Sequence, residues 1–310
     1  MTDAVTLGVD LGRGLRLRTP VLVASGTFGY GFDAPGADRA SLGAIISKGT
    51  TPQARPGNGP VRIAEAPSGM LNAIGLQNPG VDHVVREYAP IWKTWDVPVI
   101  VNVAGDSIED YATVARRLDG VAGIAGLELN ISCPNVANGL QFGLDAQLAA
   151  QVTDAVRRAS SLPLIVKLTP NVTDIVAIGR AVQSAGADAV SAVNTFVGMA
   201  IDVRRRRPIL SRRSGGLSGP AIKPLALHAV WQLVEHLSIP VIGIGGIMTA
   251  DDALEFLLAG AAAVQLGTVN YLRPQAASEV VEGIARYIEH RGYTRLSQLS
   301  LRPAKVMAGV

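Results

Sequence analysis

Eight short apolar runs recur along the chain, most followed by a stretch with helical periodicity, and this alternation constrains the fold more than any other feature. The runs are VLVASG (21–26), GAIISKG (43–49), PVIVNVAG (98–105), GLELNIS (126–132), LPLIVKLTP (162–170), DAVSAVNT (188–195), PVIGIGGI (240–247) and AAVQLGT (262–268). Each is continuously apolar over its first part, as a parallel strand covered on both faces requires. Between them, SIEDYATVARRL, DAQLAAQVTDAVRRA, TDIVAIGRAVQSAG, PLALHAVWQLVEHL and TADDALEFLLAG place apolar residues at helical spacing, and several end in glycine, a helix-stop signal. Eight strand-then-helix units predict an α/β fold of the (β/α)8 TIM-barrel type, formed by residues 1–310 as a single domain. The alternative is a doubly wound open sheet, which usually has fewer strands and a dinucleotide fingerprint after the first of them.

Two insertions interrupt the units. Residues 50–80 are rich in Pro and Gly, and residues 196–219 carry RRRRPILSRRSGGLSG. Both follow a strand, so both leave the C-terminal face of the barrel, where barrel active sites lie. They are expected to form a cover or a partner surface. The opening TLGVDLGRGLRLRTP reads as a hairpin capping the barrel bottom.

Composition removes several function classes. With 48% apolar residues there is ample core material, and a single cysteine excludes a disulfide framework or a cysteine-cluster metal site within the chain. The four histidines show no ligand spacing, so no metal is expected. The N-terminus lacks the basic-then-apolar layout of a signal peptide and no apolar run reaches the ~18 residues of a membrane span, so a cytoplasmic protein without membrane contact is expected. A net charge of +3 does not call for nucleic acid. The Arg204–Arg207 run has no interleaved aromatics and reads as a solvated loop. Only five of the 28 basic residues are lysines, so a lysine at a strand end stands out.

Chemistry in a barrel collects where the strands end. Those ends give Ser25, Lys48, Asn102, Asn130 with Cys133, Lys167, Asn194 with Thr195, Gly245–Gly246 and Gly267–Thr268: two lysines, three asparagines and a thiol, with no acid. Hydrolases and enolase-type enzymes need carboxylates at this place. An asparagine offers a donor and an acceptor, suited to the edge of a planar imide or pyrimidine, and a lysine stabilises a developing anion such as a reduced flavin. Glycine-rich turns after the seventh and eighth strands suit a phosphate. The set is compatible with one flavin mononucleotide and one small ring. Cys133 alone reads either as a small buried hydrophobe or as a reactive thiol at the mouth of the site.

Ten segments, ASGTFGYG, SKGTT, MLNAIGLQNPG, VNVAG, NISCPN, VKLTPN, VNTFVGMAID, GGLSGPAIKPLAL, GIGGI and LGT, together resemble the dihydroorotate dehydrogenases from about residue 5 to residue 270. GMAID and GGLSGPAIKP resemble the NAD-linked class 1B. The membrane-linked class has serine where Cys133 stands. One departure is Phe196, where an aliphatic residue is usual. The resemblance implies flavin-dependent oxidation of dihydroorotate to orotate in pyrimidine (UMP) biosynthesis, with Cys133 as base. It implies FMN at Ser25, Lys48, Gly49, Asn102, Asn130, Lys167, Val193, Gly219, Gly245, Gly246, Gly267 and Thr268. It implies orotate at Lys48, Asn72, Ala73, Ile74, Gly75, Leu76, Asn130, Asn194 and Thr195. It also implies a separate electron-transfer subunit carrying FAD and a [2Fe–2S] cluster, in a heterotetramer of two plus two, that passes electrons to NAD+. A tRNA dihydrouridine synthase shares a flavin barrel and a cysteine, but no RNA-binding segment follows the barrel here. A non-catalytic ligand-binding barrel is the third reading, and the intact thiol and lysines speak against it.

Overall fold

The computed structural model describes residues 5–33, 36–132, 142–299 and 301. All eight apolar runs form strands: β1 (Val21–Val23), β2 (Ala44–Ile46), β3 (Val99–Val103), β4 (Gly126–Asn130), β5 (Leu164–Leu168), β6 (Ala189–Ala192), β7 (Val241–Ile244) and β8 (Ala263–Leu266). Neighbours pair in parallel and β8 returns to β1, closing the expected (β/α)8 barrel. Each strand is shorter than its apolar run because the last residues of the run already turn into the top-face loops.

Four of the connecting helices begin where the sequence provides caps. Ser107 and Thr249 each accept from the third backbone N–H of the following helix, and Asp110 and Asp252 reach back to complete the capping boxes of Ile108–Leu118 and Ala250–Leu258. Asp145 and Asp174 cap Ala146–Ala159 and Ile175–Ser184. The first unit is irregular: among the described residues after β1, only a single 3-10 turn, Arg39–Ser41, precedes β2.

Alternation along the strands creates two cores. Val99, Val101 and Val103 of β3, like Val21 and Val23 of β1, face the helices. The residues between them face inward. Leu22, Ala44, Ile46, Ile100, Ile165, Ala189, Ile242 and Ala263 fill the lower barrel. The N-terminal hairpin, Val9–Asp10 paired with Arg16–Leu17, closes that end as expected, and its Leu11, Leu15 and Leu17 join the same buried cluster. Fully burying one such side chain is worth about 1.5–3 kcal/mol.

The two insertions build one object. Strands Ile63–Ala66 and Gly69–Asn72 from the first pair with Ser214–Ser218 and Phe196–Met199 from the second, giving a four-stranded antiparallel sheet. Beyond it a small hairpin, Ile201–Asp202 with Arg207–Pro208, carries the arginine run. Arg204 to Arg207 are all exposed, and the Asp202 carboxylate accepts from the backbone N–H groups of Arg204 and Arg205 at 3.0 Å, so this segment is a solvated turn. Among the described residues, no helix is long and apolar enough to cross a membrane.

Candidate active site

A cavity of about 410 Å3 lies where the barrel strands end, with the sheet of the two insertions contributing its other wall. Ligand sites usually measure roughly 300–1,000 Å3. All twelve residues expected at FMN line it, from Ser25 after β1 to Thr268 after β8. Of the residues expected only at orotate, Asn72, Ile74, Leu76, Asn194 and Thr195 also line it. Ala73 and Gly75 do not. Ala73 is held by main-chain bonding, its N–H donating to the Arg62 carbonyl at 2.7 Å and its carbonyl accepting from Asn58 Nδ2 at 2.8 Å. Gly75 contributes to a separate groove with Asn58, Arg55 and Asp106. The segment alternates, so only every second residue meets the cavity.

The lysines have different settings. Lys167, on β5, is buried and its Nζ donates to Ser25 Oγ at 3.3 Å. Lys48 follows β2 and is half-buried; desolvation holds its ammonium below the usual lysine range, the Asp33 carboxylate opposes that shift and the Arg62 guanidinium adds to it. A bound anion beside Lys48 would oppose that shift and favour the ammonium form.

The amides form a linked set. Asn194 Nδ2 donates to Asn130 Oδ1 at 3.2 Å, and Asn194 Oδ1 accepts from the Thr195 N–H at 2.8 Å. Asn72, on the cover, donates through Nδ2 to the Gly216 carbonyl at 3.2 Å. Asn102 on β3 is buried, and its Oδ1 has no hydrogen-bond partner among the described residues.

The turns after β7 and β8 leave backbone open to a ligand. Gly246 sits at φ +70°, and a Cβ there would come within 2.8 Å of Lys223 Cβ and 2.9 Å of the Gly219 carbonyl, so only glycine fits. A Cβ on Gly267 would meet only the Ala24 methyl, at 3.6 Å, because the cavity runs up to the backbone there. Thr268 Oγ1 donates to Ser218 Oγ at 2.8 Å beside it.

Sequence reasoning missed Arg62, Ser218 and Tyr271 in the lining. Arg62 lies in a Pro/Gly-rich insertion with no periodicity to place it. It also missed an acid. Glu128 lies within β4, fully buried, two residues before the strand end. A signal was present: a strand covered on both faces has no exposed position for a carboxylate, so a glutamate in its middle must meet partners inside. Cys133 lies outside the described residues. The chain approaches it through Ser132, whose N–H donates to Asn130 Oδ1 at 3.3 Å.

Among the described residues, no three His, Cys, Asp or Glu side chains group as a metal site would require. Fold and site define a (β/α)8-barrel protein whose top-face pocket combines ammonium groups, amides and bare backbone, a donor set for an anionic, planar ligand. The family model "Dihydroorotate dehydrogenase" matches residues 11–288. The chain is 52% identical over 297 residues to the dihydroorotate dehydrogenase B (NAD(+)) catalytic subunit of Desulforamulus reducens, covering 95% of this chain and 97% of that one. It is 53% identical to the subunits of the same name from Geotalea daltonii (92% and 94% covered) and Porphyromonas gingivalis (94% and 95%). The chain belongs to the dihydroorotate dehydrogenase family.

Proposed function

We propose that this chain is the catalytic subunit of an NAD-linked dihydroorotate dehydrogenase, oxidising dihydroorotate to orotate for pyrimidine synthesis in the cytoplasm. The observation that carries the reading is the convergence of Lys48, Lys167, Asn102, Asn130 and Asn194 on one cavity with bare backbone at Gly267. FMN fits these residues. The open approach to Gly267 suits its phosphate, and the buried, unpartnered Asn102 Oδ1 suits a ring N–H. When bound, FMN supplies the hydride acceptor.

The chain's own residues supply the rest. Lys167 places a fixed positive charge at the floor, where it stabilises negative charge developing on the ring. Asn72, Asn130 and Asn194 are held by hydrogen bonds to their neighbours, so the pyrimidine meets a preset pattern of donors and acceptors. Lys48 pairs with the substrate carboxylate. Cys133 takes the proton as thiolate, a role a free thiol with a pKa near ~8.5 fills best when its surroundings favour the anion. A partner carrying FAD and a [2Fe–2S] cluster, in an assembly of two plus two, would pass the electrons on to NAD+. A chain with one cysteine needs that cluster to be housed elsewhere. The exposed Val197, Met199, Ile201 and Val203 on and beside the cover are the kind of surface an assembly buries.

The test is an anaerobic absorption spectrum of the purified protein before and after adding dihydroorotate. A flavin band that bleaches on addition is expected. A band that persists removes the substrate assignment, and a colourless protein that takes up no FMN removes the flavin.

A further inference from the structure

Directly beneath the cavity floor the barrel holds a carboxylate for which the function above has no use. Glu128 is fully buried. Its Oε2 accepts from Asn102 Nδ2 at 2.8 Å, and its Oε1 accepts from Gln265 Nε2 at 2.7 Å and from Ser191 Oγ at 2.9 Å. Lys167 Nζ stands 3.9 Å from Oε2. The four partners come from β3, β8, β6 and β5, so strands on several sides of the barrel meet at this one group.

Stability is a poor reason for such a group. Barrel interiors are normally filled by branched apolar side chains, and a buried ion pair often contributes less than well-packed apolar residues of the same volume. Geometry supplies a better reason. A carboxylate only accepts hydrogen bonds. The Asn102 amide must therefore turn its N–H2 end to Glu128, which leaves Oδ1 as the group it can offer elsewhere. That oxygen is buried and unpartnered among the described residues. It lies at the cavity wall, 3.2 Å from where a Cβ on Gly49 would stand. Glu128 thus decides that the wall presents an acceptor there. Its second effect is electrostatic: the carboxylate offsets part of the charge that Lys167 directs at the same cavity.

We propose that Glu128 is a positioning residue of the flavin site, orienting the Asn102 amide toward a ring N–H and lowering the positive potential that Lys167 imposes on the ring. The proposal rests on the FMN reading. It separates into an orienting and a charge effect, each with its own variant.

The experiment uses the FMN-loaded protein. Glu128→Gln keeps the shape and an acceptor for Asn102 but removes the charge. Its bound flavin should show a more positive midpoint potential, because the uncompensated Lys167 ammonium favours the reduced, anionic ring, while FMN retention stays within about threefold of wild type. A potential that is unchanged or more negative overturns the charge effect. Glu128→Asp keeps the charge but withdraws it by one methylene from Asn102. Its FMN dissociation constant should rise tenfold or more with little change in potential. A folded Glu128→Asp protein that holds FMN as tightly as wild type overturns the orienting effect, and carries the test alone should Glu128→Gln fail to fold. A wild-type protein that takes up no FMN is a separate result and removes the flavin reading itself.

Discussion

The lower and upper halves of the barrel are built from the same strands in the same register, yet they do opposite things. On β3, Ile100 and Asn102 both point inward; on β5, Ile165 and Lys167 do; on β6, Ala189 and Ser191; on β8, Ala263 and Gln265. One step of two residues along each of these four strands exchanges an apolar plug for a layer of amide, ammonium and hydroxyl groups, gathered around the Glu128 carboxylate of β4. The lower layer packs against itself and against the leucines of the N-terminal hairpin. The upper layer saturates itself only in part, leaving Asn102 Oδ1 and Gln265 Oε1 without partners among the described residues. The difference teaches that the plug holds the strands together, while unsatisfied polarity above it creates affinity for something from outside.

Variants at the two levels should therefore separate stability from function. The largest effect is expected at the chemistry. Cys133→Ser should lower dihydroorotate turnover by roughly 10²–10⁴, the usual contribution of a positioned base, with FMN and orotate binding retained. Steady-state kinetics beside binding titrations would show it, and turnover at the wild-type rate would remove Cys133 as the base. Ile100→Ala, in the plug, should cost about 2–5 kcal/mol of stability in denaturant unfolding while the folded fraction binds FMN as wild type does. A selective loss of FMN affinity there would break the separation of the two layers. Asn194→Ala, at the top, should do the reverse: a stability change of about 1 kcal/mol and orotate affinity reduced about tenfold. The smallest effect concerns Lys48. Its folded-state pKa is lowered, so the folded protein binds fewer protons than the unfolded chain just below the ordinary lysine value of 10.5. Stability of the ligand-free protein should rise slightly with pH from the lowered value up to 10.5, and Lys48→Met should flatten that slope in thermal melts.

The barrel was legible in the sequence because its cause is local: the strands announce themselves by apolar runs, and five of the helices by their spacing, four of these with a Ser, Thr or Asp cap. The polar strand ends were legible for the same reason, since Asn102 and Lys167 stand directly after apolar residues of their own strands and Lys48 two positions after the last residue of its strand. What escaped was decided between distant segments. Nothing near Ile63 or Leu217 says that the two insertions share a sheet, because antiparallel pairing depends on where the barrel places their ends. Ala73, beyond the strand that ends at Asn72, is held off the cavity by bonds to Arg62 and Asn58 of its own insertion. Glu128 was visible, but its meaning lay in Asn102, Ser191 and Gln265, on three other strands.

The shared sheet also sets an order of events in synthesis. Asn72 bonds to Gly216, and the two are 144 positions apart in the chain. A chain emerging from its N-terminus holds the strand Gly69–Asn72 with one edge unsatisfied until four of the eight barrel strands have followed it. Open strand edges invite pairing with other chains. The wall that later lines the pocket is, during that interval, open to the wrong neighbour, and the arrival of Ser214–Ser218 ends the hazard before the turns after β7 and β8 complete the pocket.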